Sequence, residues 1–229
     1  MARRTPLGAR ASLASLPDPE PAAEAQAVRL AEALIFASPR PLAAADLAAR
    51  LPRGHDVEAV LAELRRLYRG RGITLARVAG GYAFRTAPDL AGLLRGDAPE
   101  PRRLSRAAIE TLAIIAYHQP ATRAEIEEIR GVSTSKGSLD LLLETGWVRL
   151  RGRRRTPGRP VTYGTTPAFL EQFGLDSVGD LPGLDELKGL GLIEGRLPAG
   201  FSVPLPSDDP GLRPDEDPLA DGLPDPDIA

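Results

Sequence analysis

The clearest structural pattern in the chain is the stretch Asp56-Val-Glu-Ala-Val-Leu-Ala-Glu-Leu-Arg-Arg-Leu-Tyr-Arg-Gly-Arg-Gly-Ile-Thr-Leu-Ala-Arg-Val-Ala-Gly-Gly-Tyr-Ala-Phe-Arg-Thr86. Its first half repeats apolar side chains every three to four residues, which predicts an amphipathic helix with Asp56 as its N-cap. Its second half alternates around Gly80-Gly81, which predicts a β-hairpin. A helix followed at once by a hairpin is typical of the end of a winged helix.

Two shorter helical segments precede this stretch. Apolar residues recur at helical spacing over Ala23–Ile35, and Pro39 follows that helix. A second, short helix is predicted over Ala43–Arg50, because helix-breaking residues follow it. With the stretch above, these segments form a helix–helix–helix–hairpin unit that is predicted to span residues 23–96.

The same order of elements returns in the second half of the chain. Ser105 is a predicted N-cap, and Thr122 with Glu125 three residues later forms a capping box. The predicted helices cover 106–117, 123–130 and 135–144, and the predicted strands cover 147–151 and 161–165. This second unit is predicted to span residues 104–175, behind a linker over 97–103. The repeated order indicates a duplicated module.

We therefore predict a mainly α fold with small β-hairpins, in the α+β class, with two tandem winged-helix domains between disordered tails. The predicted tails are residues 1–22 and 200–229, with short helices over 176–199. The C-terminal tail has eight acidic residues, one basic residue and seven prolines, a composition that cannot bury enough apolar surface to fold. Since the whole chain carries −2 and this tail −7, the first 199 residues carry +5.

The composition excludes several kinds of chemistry. The chain has no cysteine, which excludes disulfides and thiolate nucleophiles, and it has two histidines, His55 and His118. We find no catalytic set, so we expect no enzymatic activity, no cofactor, no metal and no small-molecule substrate. The longest stretch without a charged residue, Thr111–Thr122, has 12 residues, whereas a membrane span needs ~18. We therefore expect a soluble, cytoplasmic protein without membrane contact.

The predicted second hairpin is strongly basic. Six arginines fall within 11 residues, and no acidic residue lies between Glu144 and Glu171. These arginines are Arg149, Arg151, Arg153, Arg154, Arg155 and Arg159. Such a group neutralises phosphates in nucleic-acid complexes, but it is also typical of a solvated loop, and both interpretations stay open. The predicted third helices carry acidic as well as basic residues, so neither matches a groove-reading recognition helix.

Three weaker motifs favour structural roles. Gly131-Val-Ser-Thr-Ser-Lys-Gly-Ser138 lacks the Gly-Lys-Ser/Thr order of a phosphate-binding loop, so a capped helix start is expected there. Glu125 and Glu128 share a helix face without a histidine, which favours a solvated face over a metal site. His118 is expected to pack at a helix end, and Trp147 is expected to pack in the core.

Two motifs of the second block are specific when they are taken together. The first is Leu104-Ser-Arg-Ala-Ala-Ile-Glu-Thr-Leu-Ala-Ile-Ile-Ala-Tyr-His-Gln-Pro120, and the second is Pro157-Gly-Arg-Pro-Val-Thr-Tyr-Gly-Thr-Thr166. They closely resemble the segregation and condensation protein B (ScpB) family, and the resemblance covers about residues 24–192. His118 stands where a lysine is expected in many members, and the Arg153–Arg155 loop is particular to this sequence or its branch.

The resemblance implies an accessory subunit of the bacterial SMC condensin complex. It implies a homodimer that binds the kleisin subunit ScpA and, through it, SMC. Such a subunit supports chromosome condensation and segregation during cell division, and it is nucleoid-associated in the cytoplasm. In this family the first domain is associated with dimerisation and the second with kleisin binding.

The resemblance and the basic hairpin together select the candidate site residues. The candidate dimerisation residues are Leu30, Leu34 and Phe36. The candidate partner-binding or wing residues are Arg153, Arg154, Arg155, Arg159 and Tyr163. The alternative function is that of a DNA-binding winged-helix transcriptional regulator. For an ScpB-like subunit, we expect any DNA contact to be weak, non-specific and made through the second wing.

Overall fold

The computed structural model describes residues 19–94, 104–183, 186 and 211–219. In these ranges helices combine with short antiparallel strands, which confirms the α+β class. Outside them lie residues 1–18 of the predicted N-terminal tail, the linker over 97–103, and residues 200–210 and 220–229 of the predicted C-terminal tail. Most of the short helices predicted over 176–199 also lie outside, and the structure describes a 3₁₀ helix at Val178–Asp180 among them. None of the helices in these ranges is long and apolar enough to cross a membrane.

The helices of the first block are α1 (Pro19–Ala37), α2 (Ala44–Arg50), α3 (Val57–Leu67) and α4 (Pro88–Leu94). α2 and α3 lie where they are predicted, and Asp56 caps α3 by accepting a hydrogen bond from the Glu58 amide at 3.0 Å. α1 begins at Pro19, so the prediction that the N-terminal tail reaches residue 22 is wrong from Pro19 onward. Proline fits this position because amides of the first turn lack an intrahelical acceptor. The apolar pattern did not predict α4.

The predicted hairpin is formed by β1 (Ile73–Val78) and β2 (Gly81–Thr86), which pair antiparallel. Its two-residue turn is Ala79-Gly80, and both residues have positive φ, as a tight, twisted hairpin turn requires. Gly81, which was predicted within the turn, is the first residue of β2. The next residue, Tyr82, exchanges backbone hydrogen bonds with Leu42 at 3.0 and 2.9 Å. The hairpin is therefore anchored to the segment before α2.

The first block closes over one apolar core. Buried residues of α1, α2, α3 and both strands contact one another, and Leu47, Leu61 and Leu64 are fully shielded from solvent. The Tyr68 hydroxyl donates a hydrogen bond to Glu32, which ties the end of α3 to α1. Packing of an amphipathic stripe therefore holds the three helices and the hairpin together.

The substitution Gly81→Ala tests how tightly the hairpin packs on the segment before α2. A Cβ at position 81 would lie 2.8 Å from the carbonyl carbon of Pro41 and 2.9 Å from its oxygen. Because these are backbone atoms, β2 must move, and we expect a loss of about 1–3 kcal/mol in the free energy of unfolding. Urea denaturation followed by circular dichroism measures this loss.

The control is Gly92→Ala in α4, where the new methyl group meets open space. Alanine is the better helix former, so we expect this variant to be as stable as the natural chain or slightly more stable. Equal stability of the two variants would contradict close packing at Gly81.

The helices of the second block are α5 (Arg106–His118), α6 (Arg123–Arg130), α7 (Lys136–Glu144) and α8 (Pro167–Phe173). Two predicted caps are present: Ser105 accepts a hydrogen bond from the Ala108 amide, and Thr122 and Glu125 form a reciprocal capping box. The capped start predicted for α7 is wrong, because the side chain at its N-cap, Ser135, makes no capping hydrogen bond. Gly131 ends α6 in the left-handed conformation, with φ of 70°. The three predicted helices of the second unit therefore start and end within one residue of their predicted bounds.

The sheet of the second block contains β3 (Ala121–Thr122), β4 (Val148–Arg154), β5 (Val161–Thr165) and β6 (Glu216–Pro218). Neighbouring strands are antiparallel, in the order β3-β5-β4-β6. β4 continues beyond its predicted end at residue 151, so Arg153 and Arg154 lie in a strand and not in the loop. The extension accompanies β6, which pairs with Gly152–Arg154 and which the local sequence did not predict.

A second apolar core lies between this sheet and its helices. Ile115, Ile126 and Leu142 are fully buried there. Trp147 packs against the same core, and its ring centroid lies 5.6 Å from that of Phe173 in an edge-on contact. The predicted core role of Trp147 is therefore confirmed.

Candidate interaction site at the edge of β4

The four predicted arginines come together where β4 ends. Arg153 and Arg154 are the last residues of β4, and Arg155 and Arg159 lie in the loop before β5. Tyr163 does not join them: it belongs to the second core and is only 4% exposed. The prediction that Tyr163 contacts a partner is therefore corrected. β5 is paired on both sides and covered by helices, which turns this ring inward.

Residues 211–219, the C-terminal segment, lie against this edge of the sheet. β6 pairs with β4 through Gly152–Pro218, Arg153–Asp217 and Arg154–Glu216. The Arg155 amide extends the pairing by donating to the Asp215 carbonyl at 2.8 Å. The prediction of disorder over 200–229 is therefore wrong for the C-terminal segment. Strand pairing and ion pairs replace the apolar core that the segment cannot build for itself.

Glu216 is held in a carboxylate site on the sheet. It is 2% exposed, its Oε1 accepts from the Thr162 hydroxyl at 2.6 Å, and its Oε2 accepts from the Arg213 amide at 2.9 Å. The Gly152 amide donates to the same Thr162 oxygen at 3.1 Å, which fixes the hydroxyl for donation to Glu216. The Arg151 guanidinium lies 4.0 Å from the carboxylate. Donors and positive charge therefore compensate the burial of Glu216.

Arg154 connects the C-terminal segment to the start of α6. Its guanidinium donates at 2.9 Å to Asp215 Oδ2, to the Pro120 carbonyl and to both Glu125 carboxylate oxygens. Its side chain is 11% exposed, whereas those of Glu125 and Asp215 are 45% and 56% exposed. Loss of these acceptors would leave the shielded guanidinium without a counter-charge, so the contacts fix its position. Arg154 therefore holds the C-terminal segment against the start of α6.

Arg155 and Arg159 hold the outer face of the segment. Arg155 Nε and Arg159 Nη2 each donate to a different carboxylate oxygen of Asp217 at 2.7 Å. Both arginine side chains are more than half exposed, at 59% and 62%. Exposed pairs contribute only about 0–1 kcal/mol each, so this part of the contact is weak and sensitive to salt.

Glu125 has a different role from the solvated face predicted for it with Glu128. Its carboxylate closes the capping box of α6 and accepts from Arg154, while Glu128 is exposed. Burial raises the pKa of Glu125, but hydrogen bonds from the Thr122 amide and from Arg154 lower it by a larger amount, so the net pKa lies below the usual range. Within the described ranges, no three acidic or histidine side chains form a group that could hold a metal ion.

His118 lies half-buried at the end of α5, beside a shallow pocket that Glu125, Arg154 and Arg213 also line. Burial lowers the pKa of His118, and the Glu125 carboxylate opposes that shift. Both charged neighbours are held by other contacts: Arg154 by carboxylates, and Arg213 by donation to the Gln119 carbonyl at 3.0 Å. The geometry fits the packing role predicted for His118.

Sequence reasoning missed the residues that hold the C-terminal segment from the sheet side. Gly152 and Thr162 carry no chemical signal of their own in a strand. The C-terminal segment itself did carry a chemical signal, because the acidic run Asp215-Glu216-Asp217 has the charge opposite to that of the arginine group. Only a search for complementary charge between distant parts of the chain would have found the pair.

A comparison of the sequence with known proteins shows its family. The family model described as segregation and condensation complex subunit ScpB matches residues 29–184, more than half of the chain. The chain belongs to the ScpB family. Membership assigns it to the segregation and condensation complex. The match includes β4, β5 and their arginines, whereas the C-terminal segment lies beyond it.

Individual ScpB proteins are similar over most of their length. Segregation and condensation protein B of Moorella thermoacetica is 48% identical over 163 residues, which cover 68% of this chain and 82% of that protein. The ScpB homolog of Coxiella burnetii is 40% identical over 172 residues, or 72% and 82% of the two chains. The crystal structure of ScpB from Mycobacterium tuberculosis is 33% identical, covers 66% of this chain and 97% of that chain, and has a TM-score of 0.30.

Docking of the C-terminal segment is expected to depend on pH. The hydrogen bond from Arg155 lowers the pKa of Asp217. Burial raises the pKa of Asp215, but hydrogen bonds from Arg154 and from the backbone outweigh this effect, so the net pKa of Asp215 is also lowered. A detached segment would therefore bind more protons than a docked one. Docking is fully favoured above the ordinary aspartate pKa of ~3.9 and weakens as pH falls through the lowered values.

Amide chemical shifts of residues 215–217 during an acid titration measure this dependence. The shifts are expected to stay constant from neutral pH to about pH 5 and to move toward detached values below about pH 4. Amides of β1 serve as the control for global unfolding. Detachment as the pH is raised toward neutrality would contradict the assignment.

Proposed function

We propose that the chain is a non-enzymatic accessory subunit of the SMC–kleisin condensin complex, nucleoid-associated in the cytoplasm. In this proposal it binds the kleisin ScpA as a homodimer and supports chromosome condensation and segregation during cell division. The observation that carries the proposal is the ScpB family match over residues 29–184, which spans both blocks.

The proposal includes two tandem winged-helix domains, over residues 23–96 and 104–175. Three observations support this division: the two blocks share the order of three helices and a hairpin, each closes over its own core, and each hairpin gains a further pairing. In the first block that pairing is the bridge from Leu42 to Tyr82, and in the second it is β3 on β5.

The first block offers an aromatic anchor for the proposed homodimer. Phe36, near the end of α1, is 79% exposed and lines a shallow pocket with Tyr68, Ile73 and Phe84. The other two candidate residues, Leu30 and Leu34, pack partly against the core of their own block. Exposed aromatic side chains beside a pocket are typical of the residues that dominate binding energy at interfaces. We therefore assign the dimer contact mainly to Phe36.

The second block offers apolar side chains for the kleisin. Four of them are between 38% and 58% exposed and are distributed over α5, α6, the residues after α6, and α7. They are Ile109, Ile129, Val132 and Leu141. Apolar residues exposed on neighbouring helices suit an amphipathic segment of a partner.

The alternative of a DNA-binding regulator has weaker support. Arg66 of α3 is paired with Glu63 at 2.6 Å, and α7 has Lys136 as its only basic residue beside two acidic ones. Four of the six arginines of the second hairpin lie within ion-pair distance of carboxylates of the C-terminal segment. Neither third helix therefore presents a basic face to a major groove.

The variant Phe36→Asp tests the dimer. We expect the natural chain to have the mass of two copies at micromolar concentration and the variant to have the mass of one, because burying an unpaired carboxylate at the interface is costly. Light scattering coupled to size-exclusion chromatography measures the mass. Val132→Asp, at an exposed apolar position of the second block, is the matched control and is expected to remain dimeric.

Binding to purified ScpA tests the proposed function directly, by calorimetry with the full chain. Charge reversal at Arg149 and Arg153 separates the two candidate functions, because Arg149 is exposed and the Arg153 guanidinium donates to the Arg159 carbonyl at 3.1 Å. We expect this variant to keep ScpA affinity within about threefold, less than 1 kcal/mol. A chain that ignores ScpA yet binds duplex DNA, and loses DNA binding on charge reversal, would establish the regulator instead.

A further inference from the structure

We propose that the edge of β4 is a peptide-binding site of the strand-addition type. Its ligand is an extended acidic peptide with the pattern Asp-Glu-Asp, and residues 213–218 of this chain are the resident, exchangeable occupant. Among the parts of the chain that the structure describes, β6 forms the outer strand of this sheet by covering the backbone of Gly152–Arg154. A strand left without β6 would present unpaired amides and carbonyls, a template for any extended chain.

The site distinguishes peptide positions by side chain. The central position is a glutamate, enclosed to 2% exposure, whose two oxygens accept from Thr162 and from the Arg213 amide. The flanking positions are aspartates, held by Arg154 on one side and by Arg155 and Arg159 on the other. In strand addition, backbone pairing supplies affinity and such side-chain contacts supply selectivity.

Gly152 gives the incoming strand room to approach. A Cβ at this position would lie 2.5 Å from the Asp217 carbonyl oxygen and 2.8 Å from Leu212 Cδ2. The φ angle of Gly152 is not positive, so its backbone conformation does not itself require glycine. Glycine is needed at this position because the second strand approaches it closely.

The contacts of the resident segment favour exchange over permanent attachment. β6 has three residues, the outer ion pairs are more than half exposed, and Leu212 is 40% exposed. Short strands and exposed ion pairs contribute little individually. The segment gains from belonging to the same chain, because its docking is then an intramolecular event that does not depend on the protein concentration.

A polypeptide fits this site better than a nucleic acid does. Phosphates would satisfy Arg155 and Arg159, which lie on the outside. They would not supply the alternating backbone donors and acceptors that Gly152–Arg154 require, nor would they reach the enclosed position of Glu216. The enclosed carboxylate site and the strand pairing together select an extended acidic peptide.

The test uses the full chain with Glu216→Arg, which expels the resident segment by placing a cation beside Arg151 and Thr162. The probe is a fluorescent synthetic peptide with the sequence of residues 211–219, and binding is followed by anisotropy. We expect the probe to bind this variant at least tenfold more tightly than it binds the natural chain, whose site is occupied. The same peptide carrying E216Q is expected to bind at least tenfold more weakly.

Three further proteins make the test specific. Glu144→Arg has the same charge change at an exposed residue away from the site, and it is expected to behave as the natural chain does. Adding Gly152→Ala to Glu216→Arg is expected to abolish probe binding, since the strand no longer fits. If Glu216→Arg does not fold, as judged by circular dichroism, D215A/D217A releases the segment by removing its ion pairs.

Several results would overturn the proposal. One is a folded releasing variant that does not bind the probe, and another is equal binding by the variant and the natural chain. Binding that survives Gly152→Ala would place the peptide elsewhere. If the releasing variant binds duplex DNA and ignores the peptide, the arginines form a polyanion surface instead. ScpA takes no part in these measurements, so their outcome is independent of the proposed function.

Discussion

The Arg154 guanidinium joins three parts of the second block that are far apart in sequence. It donates to the Pro120 carbonyl, to the Glu125 carboxylate and to Asp215. Because Glu125 also closes the capping box of α6, one cation connects the start of a helix, the end of a strand and the C-terminal segment. A guanidinium that is 11% exposed is stable only while these acceptors stay in place. The positions of the three elements therefore depend on one another.

This contact gives a structural meaning to the uneven charge of the chain. The first 199 residues carry +5 and the remainder −7, and part of that acidic remainder lies directly on the basic hairpin. The outer ion pairs at Arg155 and Arg159 are exposed and weak one by one. Strand pairing and the enclosed Glu216 add the contacts that long-range attraction alone does not provide. The opposite charges therefore meet within one chain, in contacts of defined geometry.

Local signals predicted most of the fold and little of the site. Caps at Asp56, Ser105 and Thr122 depend on residues three positions apart at most, and they place helices within a residue of where they are found. β6 depends on a partner strand about sixty residues away, which no local pattern contains. The rule that predicts disorder assumes that a segment must bury its own apolar surface, and β6 uses another strand instead. Tyr163 was assigned to the partner-binding group from the resemblance and the basic hairpin, but every residue of β5 is buried, because elements distant in sequence cover this strand.

The family match ends at residue 184, so it includes the edge of β4 but not the segment that occupies that edge. The arginines lie within the region shared with ScpB proteins, and the acidic strand that covers them lies outside it. The surface of the second hairpin therefore depends on whether residues 213–218 are docked. With the segment in place, the edge of β4 is paired and Asp217 neutralises Arg155 and Arg159; without it, that edge and these two arginines would lose those partners, while Arg154 would keep Glu125. Under the proposed strand addition, the C-terminal segment would therefore control a surface of the second block, although it lies outside the residues that the family model matches.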